Sequence, residues 1–138
     1  MQQIATLRQV SEELAQDHER LHELIDQLGR AGDLAQLSGY LATLHERLAA
    51  HFVAEEKPGG LYDALGVCAP AFRRTLGQLV DDHFRLAATL RDLRDRAGAA
   101  GGGDADALRA DVARLVGALA EHEKRELEMV RSAAAPRT

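Results

Sequence analysis

Tryptophan is missing from this chain, and phenylalanine and tyrosine bring the aromatic share to only 4%. Sheets draw on aromatic and β-branched residues to cover a pleated, half-buried face, so this scarcity argues against a β fold. Cysteine occurs once, at Cys68. A single thiol forms no internal disulfide and no thiolate metal cage, and it suits a reducing, cytoplasmic setting. Proline is confined to positions 58, 70 and 136, which leaves long stretches free of the residue that breaks helices. No apolar run approaches the ~20 residues that a membrane span needs. The opening residues, Met1-Gln2-Gln3-Ile4-Ala5-Thr6, have neither the basic nor the apolar region of a secretory signal. An excess of positive charge is also lacking. Lys+Arg number 17 against 22 Asp+Glu, a net charge of −5, so neither nucleic acid nor membrane is expected as a partner.

The composition is instead rich in leucine, alanine, arginine and glutamate, the residues that form helices most readily. Glycines at 29 and 32, at 59–60 and at 101–103 punctuate the chain. They leave four segments, roughly 5–29, 34–57, 71–97 and 104–133, each too long for a strand and free of internal proline. Asp33 and Asp104 stand where helix N-caps belong. Leu61–Val67 reads as a short extra turn of helix, and Ala135-Pro136-Arg137-Thr138 as a frayed end. Residues 1–138 amount to one domain.

All four segments repeat their apolar residues at steps of three and four, the spacing of a helix that buries one stripe. The stripes read Leu7, Ser11, Leu14, His18, Leu21, Ile25, Leu28; then Leu34, Leu37, Leu41, Leu44, Leu48, His51, Glu55. They continue as Phe72, Leu76, Leu79, His83, Leu86, Leu90, Leu93; and Leu108, Val112, Leu115, Leu119, His122, Glu126, Met129. Four such helices with modest connections predict an all-α, antiparallel up-down-up-down four-helix bundle. The chain also repeats itself. Asp17-His18-Glu19-Arg20-Leu21 returns as Asp82-His83-Phe84-Arg85-Leu86, and His51-x-x-x-Glu55 returns as His122-x-x-x-Glu126. Two similar helical hairpins follow from that repetition.

The ionisable residues in the stripes carry the chemistry. Each stripe holds one histidine, and the second and fourth add a glutamate one turn later, on the same helix face. Buried carboxylates are costly unless something compensates their charge. Four imidazoles and two carboxylates form a donor set for metal ions, and two ions bridged by carboxylate would use all six while leaving positions free for a small molecule. Counted from the connecting turn, His18 and His51 differ in level by roughly 7 Å, which keeps His45 and His22 as reserve ligands.

These residues resemble the hemerythrin-like (HHE cation-binding) family of non-haem di-iron proteins, over nearly the whole chain. The segment His51-Phe52-Val53-Ala54-Glu55-Glu56-Lys57-Pro58-Gly59-Gly60-Leu61-Tyr62 is similar to the family's signature at the end of its second helix. The resemblance implies a hemerythrin-like bundle holding two iron ions with an oxo or hydroxo bridge, and His18, His51, Glu55, His83, His122 and Glu126 as ligands. Oxygen-carrying hemerythrins have two histidines on the third helix and an aspartate on the fourth. In this chain the third has His83 alone and the fourth has Glu126, closer to the four-histidine, two-glutamate branch that includes iron-centre repair proteins. The implied function is binding, sensing or detoxifying oxygen, peroxide or nitric oxide, in oxidative or nitrosative stress, with enzymatic turnover left open. Protein partners are not legible.

Two other readings compete. His18-Glu19-Arg20-Leu21-His22 spells the helical H-E-x-x-H of zinc-dependent hydrolases, in which Glu19 would be the general base. A helical phosphotransfer or signalling module would need one exposed histidine among basic residues, for which His45 beside Arg47 qualifies. Tyr40 and Tyr62 read as packing or rim residues, and Cys68 as a small packing residue. Asp17 and Asp82 read as acceptors for imidazoles on other helices.

Overall fold

The structure is a computed structural model that describes residues 2–99 and 105–135. The glycine loop at 101–103, the Asp104 cap and the tail at 136–138 lie outside the described residues. Helices α1 (Gln2–Gly29), α2 (Leu34–Glu56), α4 (Arg73–Gly98) and α5 (Ala105–Ala134) are the four long elements, and α3 (Leu61–Cys68) is a short fifth. Among the described residues there is no strand. A single 3₁₀ turn, Pro70–Phe72, leads into α4, so the third long helix begins two residues later than its apolar stripe suggests.

Local chemistry accounts for the turn between α1 and α2. The backbone N–H of Gln36 donates to the Asp33 carboxylate at 2.8 Å. The Gln36 side-chain oxygen accepts from the Gly32 N–H at 2.7 Å. This reciprocal arrangement satisfies amides that the first turn of a helix leaves without partners.

The leucines of the stripes fill the interior, and each fully buried one contributes about 1.5–3 kcal/mol before entropy is counted. They do not form one continuous core. One cluster, built on Leu28, Leu37, Leu41, Leu44, Leu90, Leu93 and Leu115, lies toward the α1–α2 turn. A second, built on Leu7, Leu14, Leu65, Leu79 and Met129, gathers around α3. Between the two sits a layer of buried ionisable residues: His51, Glu55, His83, His122 and Glu126.

The passage from α2 to α3 positions part of that layer. Gly59 has φ of +78°, a conformation glycine adopts without strain. Gly60 has no room for a side chain, because a Cβ there would stand 2.5 Å from the Ala54 carbonyl oxygen and 2.9 Å from those of Glu55 and Lys57. The two glycines let the chain double back tightly against the end of α2, and Leu61, Tyr62 and Leu65 enter the interior. Gly60→Ala is therefore expected to destabilise the protein by at least ~1–3 kcal/mol. Gly39→Ala, on an open face of α2 with nothing near the added Cβ, is expected to add about 0.5–1 kcal/mol. Urea titration of the two variants distinguishes these signs.

Candidate metal centre

The six residues singled out on the stripes converge at mid-bundle. Glu55, His83, His122 and Glu126 bring one ligand-type atom each to within 4.8 Å of one another, and His18, His51 and Glu55 do the same beside them. Glu55 belongs to both groups. The Nε2 atoms of His83 and His122 are 3.0 Å apart. His83 Nε2 is 3.3 Å from Glu55 Oε1, and His51 Nε2 is 3.5 Å from Glu55 Oε2. The His18 and His51 rings lie 4.7 Å apart. Helical side chains lean toward the N-terminus of their own helix. In antiparallel α1 and α2 that lean carries His18 away from the connecting turn and His51 toward it, which closes the expected difference in level.

The reserve ligands stay outside. His45 is half-buried on α2, with its Nδ1 3.5 Å from an Arg94 guanidinium nitrogen. His22 is 58% exposed and bonds Glu123 at 2.6 Å. Glu19 is exposed. His18 and His22 both turn a nitrogen toward Glu123, so the H-E-x-x-H residues do not assemble as they would in a hydrolase.

The electrostatics are those of a site built for cations. Burial, and then the neighbouring imidazole of His51, lowers the pKa of His18, and burial followed by His83 does the same for His122. Both are held in the neutral form that binds metal. Burial alone would raise the carboxyl of Glu55, but Glu126, His51 and His83 outweigh it and hold Glu55 well below the usual carboxylate range. Glu126 is pushed up to about 11 by burial and by Glu55. The two acids share one proton, with Glu55 as the anion. Yet both Glu55 oxygens are buried without a hydrogen-bond partner, and a buried charge left in that state is expensive. Cations against those oxygens would compensate it, so the residues present fit a metal pair.

Each imidazole also faces a carboxylate on a neighbouring helix. His83 Nδ1 hydrogen-bonds Glu56 at 2.7 Å. Asp82 lies 3.5 Å from His122 Nδ1, Asp17 3.8 Å from His51 Nδ1, and Glu123 3.9 Å from His18 Nδ1. Such acceptors orient a ligating ring and raise its basicity. Asp17 and Asp82 thus act across helices, as their place beside stripe histidines suggests. Glu56 and Glu123 are not singled out by the sequence pattern. Their only signal is adjacency to Glu55 and His122, which turns them about 100° round the helix toward the next element.

Two aromatic residues also carry roles that the pattern does not disclose. Phe52 stacks on His83, with ring centroids 3.8 Å apart and planes 9° from parallel. Tyr62 is neither a rim residue nor mere packing. Its hydroxyl donates to Glu126 at 2.8 Å and lies 2.9 Å from His83 Nε2. Burial, and then the nearby Glu126 and Glu55, raise the pKa of that phenol. Cys68 is buried beside Leu65 and Leu76 in the apolar cluster, as a packing residue should be.

The family profile described as "Hemerythrin HHE cation binding domain" matches residues 9–132. The chain belongs to that family. No curated protein and no solved structure matches it. The match spans most of α1 through α5 and so includes every residue of the two donor groups. Cation binding by this hemerythrin-like domain accords with its His/Glu cluster. No described helix is long and apolar enough to cross a membrane. A small cavity of about 30 Å³ adjoins the centre, lined by His18, His51, Leu21, Ile25, Leu48 and Leu119 among others, with His22 and Glu123 on its border. A wider groove of about 570 Å³ runs between α4 and α5 and reaches His122 past Asp82 and Arg125.

Proposed function

We propose that His18, His51, Glu55, His83, His122 and Glu126 hold two iron ions, and that the domain binds, senses or consumes a small oxidant or gas beside them. The observation that carries this reading is Glu55: fully buried, anionic, without hydrogen bonds, and common to both donor groups. Imidazole and carboxylate together suit iron, and also zinc and manganese. The family match and the vicinity of an enclosed cavity favour the redox-active metal. Bound iron would supply reversible one-electron chemistry and open positions for a diatomic molecule or peroxide.

The chain's own residues set the terms of entry. A cavity of about 30 Å³ admits no more than a molecule or two of the size of water or dioxygen. Its apolar lining from Leu21, Ile25, Leu48 and Leu119 excludes bulk water and favours uncharged guests. Dioxygen, hydrogen peroxide and nitric oxide meet both conditions. The His22–Glu123 pair, bonded at 2.6 Å between an exposed and a half-buried side chain, is the polar border of this cavity and the shortest link between solvent and His18. The single, buried Cys68 supports a reducing cytoplasmic setting.

Metal analysis of protein purified without added metal is the first test, with iron at about two ions per chain expected from the two donor groups and an oxo-bridge absorption in the near ultraviolet. Stopped-flow mixing of the reduced protein with dioxygen, peroxide and nitric oxide follows. One stoichiometric event with one of them identifies a binder or sensor, and repeated turnover identifies an enzyme. Protein that refuses ferrous iron altogether would overturn the reading.

A further inference from the structure

The donor cluster around Glu126 contains an oxygen that the six-residue set leaves out. Tyr62 enters the bundle from the first turn of α3, and the side chain is 7% exposed. Its hydroxyl lies 2.8 Å from Glu126 Oε2, 2.9 Å from His83 Nε2 and 3.4 Å from His122 Nε2. A bystander hydroxyl would touch one acceptor and turn away. This one sits where three side chains of a single donor group turn their ligand-type atoms together.

We infer that Tyr62 is a further metal ligand, completing the donor set of the cation held by Glu55, His83, His122 and Glu126. The inference rests on the di-iron reading above. As the metal–oxygen bond forms, the phenol O–H bond breaks and its proton passes to solvent. No electron is transferred in that step, so it needs no oxidant or reductant.

The consequence is an asymmetric pair. One cation has five protein residues around it, whereas the other has three: His18, His51 and Glu55. The small cavity borders His18 and His51, and Tyr62 is not part of its lining. The incoming small molecule is therefore directed to the His18–His51 cation, and the cation beside Tyr62 is kept closed and biased toward the ferric state by a hard anionic oxygen. The internal repetition of the sequence makes the two halves alike, but α3 follows only the first H-x-x-x-E. In the second half, α5 runs on past Glu126 without a break. The insertion of α3 is what makes the two cations unequal.

The test compares wild-type protein with Tyr62→Phe, both loaded with ferrous iron and then oxidised in air. Wild type is expected to show a broad visible charge-transfer band from phenolate to ferric iron, at lower energy than the near-ultraviolet oxo feature. Tyr62→Phe is expected to lose the visible band while keeping its iron content and the near-ultraviolet feature. Resonance Raman on the wild type, excited in the visible band, should give tyrosinate ring modes that shift when tyrosine is ring-deuterated. This arm holds even if the phenylalanine variant does not fold. Iron-loaded wild type with the near-ultraviolet feature but no phenolate band would overturn the Tyr62 assignment and leave the di-iron reading standing. Failure of the wild type to take up iron would overturn both.

Discussion

Glu55→Leu is expected to make the metal-free protein more stable and to remove most of its capacity for metal. The two effects have one cause. Glu55 is fully buried among apolar and imidazole groups, carries the negative charge of the Glu55–Glu126 pair, and has no hydrogen bond to either oxygen. Leucine is close to it in volume and needs no such partner. Replacing buried ionic groups by well-packed apolar ones is commonly neutral or stabilising by about 1–4 kcal/mol. An ordinary large-to-small change in this core would go the other way by about 2–5 kcal/mol. The same substitution deletes the one residue common to both donor groups, so both cations lose a ligand. A urea titration in the presence of chelator should show a higher midpoint for the variant, and metal analysis after loading should show little bound iron. A destabilised variant that still loads fully would contradict both roles of Glu55, as an uncompensated charge and as the shared ligand.

His83→Ala is the second large effect, and His45→Ala is its control. His83 stands at the crossing of the site, with Glu55, Glu56, Tyr62 and His122 all within 3.3 Å of its ring nitrogens. Without it, the Glu55–His83–His122–Glu126 group loses a donor, while the His18–His51–Glu55 group remains whole. The variant should lose most of one ion and retain most of the other. Truncation also leaves a gap against Phe52, so a melt of the metal-free variant is needed to establish that the fold survives. His45 lies on the same helix as His51 but turns to Arg94, and its loss should leave metal content intact. Full loading of His83→Ala would refute the ligand assignment.

The bundle and the six converging residues were legible because they obey one rule. A helix buries a stripe at steps of three and four, and ionisable residues within such a stripe are conspicuous against leucine. His51 and Glu55, or His122 and Glu126, need only that rule. Residues that reach the site by other routes were not legible. Tyr62 arrives through a turn whose geometry depends on Gly59 and Gly60, and nothing in its own neighbourhood marks it as polar-facing. Glu56 and Glu123 lie off the stripe and look like solvated charges until the neighbouring helix is in place. Phe52 lies one step off the stripe as well, and only the closeness of α2 and α4 brings it onto His83. The expected difference in level between His18 and His51 came from counting backbone positions alone. The lean of side chains along each helix, a matter of covalent geometry, removes it.

The carboxylates facing the imidazoles are arranged as a closed circuit. Asp17 on α1 faces His51 on α2, Glu56 on α2 faces His83 on α4, Asp82 on α4 faces His122 on α5, and Glu123 on α5 faces His18 on α1. Every long helix therefore gives one link and receives one, and none can swing outward without parting two of the four. The circuit works as a girdle at the waist of the barrel of helices, where the greasy interior is interrupted and cohesion would otherwise be weakest. Loss of the enclosed ions then cannot proceed by the fraying of one helix at a time. It demands a concerted loosening of the whole waist, which makes release slow even where affinity is modest.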